Sequence, residues 1–207
     1  MPRLASRKAG VSMSPGCCGD PPWNCLIWPW VGENYRALPE RRRLFVLGES
    51  MYRPETESGP YDPGTLIWLI RATLCGEWRP RRNFYQRVHY VLTGQPWCNM
   101  AGADRQAFWD RIAFYNYVQW PVPGGPGCRP DERMWTESGQ HFQEVFSRLT
   151  PGGVVVLGHE LWCRLCAAGF GLICEPGVCQ VAAAGHQCRA VFVYTRRGMV
   201  WHFPTDR

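Results

Sequence analysis

Lysine is almost missing from this chain of 207 residues: Lys8 is the only one among 23 basic side chains, so the net charge of +6 is an arginine charge. Nor does the chain hold a run of about 18 uncharged apolar residues, so no membrane span is expected. The stretch Met1 to Pro15 carries basic groups without the continuous apolar core of a secretory signal, and a cytoplasmic protein is expected. Three familiar devices are also absent. Glycine follows two apolar runs, but neither the dinucleotide fingerprint nor the P-loop spacing is present. The segment Gly48-Glu49-Ser50-Met51-Tyr52 has a serine where a nucleophile elbow would place it but lacks the second glycine. Nucleotide-cofactor enzymes and serine α/β-hydrolases are therefore set aside.

What is abundant needs weighing as well. Arginine suits phosphate recognition through its planar fork of donors, yet a GC-rich coding sequence raises arginine, alanine, glycine and proline together. The charge permits a nucleic-acid partner without establishing one. Eleven cysteines would suggest disulfides in an exported protein, but no export signal accompanies them. The spacing Cys163-x-x-Cys166, followed by Cys174, Cys179 and Cys188, raises zinc or an iron–sulfur cluster. The first pair falls in a predicted helix after a buried strand, where a small residue packs well, and the later spacings close no metal motif. Buried or idle thiols are expected, with no metal and no cofactor.

Residues 1–25 are rich in Ser, Gly and Pro and show no apolar period, so a disordered extension is expected, followed by one domain over 26–207. Leu44 to Leu47 and Val154 to Leu157 read as buried parallel strands, each delivering a glycine, Gly48 and Gly158. Ala113 to Val118 is a third strand, and Ala190 to Tyr194 and Met199 to His202 are short ones. Helices are predicted over Leu66–Leu74, Asn83–Leu92, Asp104–Arg111, Asp131–Leu149 and from Glu160. The pattern predicts an α/β three-layer sandwich with a central, mostly parallel sheet flanked by helices. Ligands of such sheets bind beyond the strands' carboxyl ends. That directs attention to Gly48–Tyr52, Asn116–Gln119, Gly158–Glu160 and His202–Arg207.

Taken in order, Leu47-Gly48-Glu49-Ser50-Met51-Tyr52, Phe114-Tyr115-Asn116, Pro151 to Gly158 and His202-Phe203-Pro204-Thr205 resemble the four loops of the uracil-DNA glycosylase superfamily. With Trp30-Val31-Gly32-Glu33-Asn34-Tyr35, the Gly-Glu-Ser-x-Tyr loop looks closest to a poorly characterised bacterial branch. The resemblance covers about Trp28 to Arg207. Met51 stands where relatives often have Pro or His, and Phe203 separates His202 from Pro204.

The resemblance implies a DNA glycosylase-type enzyme, monomeric and acting on DNA, which hydrolyses the N-glycosidic bond of uracil or a related deaminated base. Glu49 would orient a water and stabilise the oxocarbenium-like sugar. Asn116 would read the base edge, with Gly48, Ser50 and Tyr52 completing the pocket, and His202 would assist departure of the base. The base would have to flip out of the helix. Gly158, His159, Arg81, Arg82 and Arg196 are the candidates for the DNA backbone. Two alternatives stand beside this reading: a nucleic-acid-binding protein that keeps the fold without the chemistry, and a hydrolase of small N-glycosides.

Overall fold

The computed structural model describes residues 23–53, 61–77, 84–124, 127–172, 178–183 and 186–193. The first apolar run forms β2 (Leu44–Gly48), after a short β1 (Trp30–Val31). Helices α1 (Thr65–Leu74), α2 (Phe84–Thr93) and α3 (Gly102–Trp109) precede β4 (Ile112–Asn116). Between them, β3 (Tyr52–Arg53) follows the β2 loop and later pairs with β5 (Val122–Pro123). The long α4 (Glu132–Leu149) leads to β6 (Gly153–Leu157), α5 (His159–Ala167), β7 (Gly171–Leu172), β8 (Val178–Ala183) and β9 (His186–Val193).

The main sheet has the order β1-β4-β2-β6-β9-β8-β7. Its centre, β4-β2-β6-β9, is parallel, whereas β1 pairs antiparallel with β4, and β8 antiparallel with both β9 and β7. The sheet is thus mixed, which corrects the expectation of a mostly parallel one. The cause is local. Only two residues separate β8 from β9, and a connection that short can join only antiparallel neighbours. The alanines and cysteine of β8 lack the β-branched, aromatic character that marks a strand in sequence.

Strand alternation then builds three layers. Phe45 and Leu47 of β2 face a core with Phe142, Val145, Phe146 and Leu149 of α4 and Leu161 and Leu165 of α5. Val46 faces the opposite core, with Leu66, Ile70, Tyr85, Val88 and Trp109 from the first three helices. Connection handedness explains the split. The chain crosses from β2 to β4 in one direction and returns past β2 to β6 in the other, so right-handed crossovers lay their helices on opposite faces.

The sequence predicts α4 most directly, and the reasons are visible at both ends. Asp131 caps it, accepting from the Met134 amide at 2.8 Å, and the apolar stripe faces the sheet. It ends where Thr150 turns left-handed before Pro151. Trp23 and Cys25 already pack into the core, ahead of the aromatic segment at Trp28. Residues 1–22 and the expected strand Met199–His202 lie outside the described residues. Among the described residues no helix is long and apolar enough to cross a membrane.

Candidate functional site

The crossing reversal at β2 places a crevice beyond the carboxyl ends of β2, β4 and β6. Four backbone hydrogen bonds zip the chain after β2 to the chain after β4: Tyr117 to Gly48 at 2.9 Å, Val118 to Glu49 at 2.9 Å, Val122 to Met51 at 2.8 Å and Gly124 to Arg53 at 3.0 Å. Glu49 and Asn116 are thereby held in one fixed frame.

Gly48 pairs in register with Asn116. A Cβ on Gly48 would stand 2.4 Å from Asn116 Oδ1, so only glycine leaves room for that amide. Asn116 is buried, at 4 % exposure, and its backbone carbonyl accepts from Gln119 Nε2 at 2.9 Å. Ser50 Oγ is buried without a partner among the described residues.

Glu49 follows β2 directly, its side chain 12 % exposed. Both of its oxygens accept from Nη1 of Arg129, at 3.0 and 3.2 Å. Burial pushes its carboxyl above the ordinary range, Arg129 pulls the other way and Glu160 adds to the rise. Gly158, with φ of 121°, caps α5 in a conformation that favours glycine, and a Cβ there would lie 3.8 Å from Glu49 Oε2. His159, the next residue, is exposed, with Nδ1 3.7 Å from Cys163 Sγ one turn on. Glu49 and Gly158 therefore meet and Asn116 stands against Gly48, the residue before Glu49, while Tyr52 is exposed.

Other expected residues fall elsewhere. Met51 is buried against the α1–α3 layer, its sulfur accepting from the Tyr61 hydroxyl at 3.5 Å, so the side chain at this loop position serves packing. Gln119 is an anchor: its amide accepts from Ile27 N and donates to Asn116 O, both at 2.9 Å, and its backbone N meets Ser138 Oγ at 3.1 Å. His202, Arg81, Arg82 and Arg196 lie outside the described residues.

Sequence reasoning missed Arg129, which carries the positive charge beside Glu49, whereas Glu160 fell within the strand-end segment it had singled out. An alternating chain runs from Glu49 to Arg129, on to Glu160 at 3.7 Å, to Arg164 at 3.8 Å and to Glu132 at 2.6 Å. Arg129 sits in a Gly/Pro-rich connection with no periodic signal, and only the fold brings it over Glu49. Arg164 and Glu132 also border a groove of about 400 Å³ between α4 and α5, floored by Tyr117 and Phe170.

Cys163 and Cys166 are exposed on α5, so of the two expected states, buried or idle, burial does not hold for this pair. They fall on the outer side of a helix whose inward positions are Leu161 and Leu165. Cys25 and Cys188 are buried, and burial pushes both thiols up to about 12. Among the described residues no group of three or more His, Cys, Asp or Glu is placed to hold a metal ion.

The fold defines an α/β three-layer protein with a mixed sheet whose crossing reversal carries Glu49 and Asn116 at adjacent strand ends. No family model and no curated protein matches the chain.

Proposed function

We propose that the protein is a DNA glycosylase-like enzyme that hydrolyses the N-glycosidic bond of a deaminated base, uracil or a relative, in DNA. The observation that carries this reading is the placement at adjacent strand ends of a half-buried carboxylate, Glu49, and a buried amide, Asn116, which pairs in register with the residue before Glu49. The amide offers one donor and one acceptor, the pair needed by the O4 and N3–H edge of uracil. The carboxylate can orient a water and meet positive charge developing on the sugar. Tyr52 on the rim can wall the pocket, and Gly158 and His159 border its mouth, where a strand backbone would pass. His202 is assigned to departure of the base by resemblance alone.

Release of base from labelled oligonucleotides containing uracil, hypoxanthine or xanthine tests the proposal. Release by the native protein and its loss in Glu49→Gln and Asn116→Ala is the expected result. DNA binding without release from any lesion would select the non-catalytic nucleic-acid-binding reading. Release from free nucleosides but not from DNA would select a small N-glycoside hydrolase.

A further inference from the structure

The crevice holds an arginine to which the glycosylase reading gives no role. One terminal nitrogen of Arg129 engages both oxygens of Glu49, and its Nε lies 3.7 Å from Glu160. The arginine side chain is 62 % exposed against 12 % for Glu49, so the guanidinium is the outer member of the pair. A guanidinium has five N–H donors, and no described residue bonds Arg129 Nη2. The residue lies in the connection from β5 to α4, outside the helices and the sheets.

A carboxylate with both oxygens engaged by one cation is poorly placed to orient a water or to face positive charge on a sugar. For Glu49 to act, this contact has to open. Arg129 holds Glu49 through a single nitrogen, whereas a guanidinium–phosphate pair can be bidentate and stronger. A phosphodiester can therefore compete with Glu49 for the guanidinium. Once the guanidinium moves, Glu49 and Glu160 are left facing the space it occupied, and two carboxylates suit a cationic sugar.

We propose that Arg129 is a latch on Glu49, closed in the free protein and opened when a phosphodiester of the substrate takes the guanidinium. This rests on the reading that the crevice receives a nucleic acid. Opening makes Arg129 a positioning residue, acting through Glu49 rather than on the scissile bond. The charged groups around Glu49 are Arg129 from the β5–α4 connection and Glu160 from α5, with Tyr52 of β3 close to the guanidinium.

The test follows the Glu49 carboxyl by carbon NMR across pH, its signal assigned with Glu49→Gln. Native protein and Arg129→Gln are compared, each alone, with inorganic phosphate and with a single-stranded oligothymidylate. The midpoint is expected to be higher in Arg129→Gln than in native protein. Saturating oligothymidylate should raise the native midpoint toward that of the variant and leave the variant unmoved. Equal midpoints in the two free proteins overturn the latch. So does a native midpoint that stays in place while fluorescence anisotropy shows the oligonucleotide bound. An equal rise with inorganic phosphate, at matched phosphorus concentration, overturns the polymer as its opener. Failure of the oligonucleotide to bind overturns both the opening step and the nucleic-acid reading. A shifted midpoint without base release from any lesion leaves the latch standing and overturns the glycosylase alone.

Discussion

At the scale of single residues, the crevice is held against the preference of its own groups. Glu49 is a carboxyl raised by burial, so in the folded protein the neutral acid is favoured relative to the unfolded chain. The sign follows directly. The stabilisation due to this group is fully present below its ordinary value of 4.5 and is lost as pH rises through the higher folded value. At neutral pH the group is ionised at a net cost to folding, the kind of strain that marks sites where chemistry is done. Glu49→Gln is accordingly expected to unfold at higher temperature than native protein at pH 7. The gap should close as pH falls toward 4.5, which thermal melts across that range would measure. A variant less stable than native at every pH would mean that the Arg129 pair outweighs burial. Glycine 48 works in the opposite way: it supplies nothing but room, and Asn116 uses it.

At the scale of elements, the crevice depends on helix ends and connections. The start of α4 sets where the preceding connection, and so Arg129, can reach. Asp131 fixes that start through one side-chain bond to the Met134 amide. Loss of such a cap costs about 1 kcal/mol. Asp131→Ala should lower stability by about that much in urea denaturation, with the slope unchanged because the same surface is exposed on unfolding. α4 was legible in the sequence because its stripe of Phe142, Val145, Phe146 and Leu149 repeats at helical spacing between a capping aspartate and a proline. β8 was not legible. Its residues are mostly small, and what makes it a strand is pairing with β9, from Val178 opposite Val191 to Ala183 opposite His186.

At the scale of the whole molecule, two cores on opposite faces of one sheet hold the crevice between them. Phe142 is fully buried and touches the rings of Tyr117, Phe146 and Phe170, so it ties α4 both to the segment after β4 and to the segment after α5. Removing such a ring costs about 3–5 kcal/mol, because transfer and cavity terms add. Phe142→Ala should therefore shift the urea midpoint far more than Asp131→Ala does. A loss no larger than the cap's would mean that the site collapses to fill the void.

The same scale separates what was written in the chain from what was not. Short apolar runs, two of them ending in glycine, and helical stripes between them, determine β2, β4, β6 and the alternation of strand and helix, since burial on both sides demands continuous apolar side chains. They also determine that Glu49, Asn116 and Gly158 stand at strand ends. Strand order, the antiparallel rim and the contacts of Arg129 with Glu49 and Glu160 were decided only by the tertiary structure. Pairing partners and ion pairs join residues as far apart as Glu49 and Arg129, and a local pattern carries no information about which distant residue will be brought opposite.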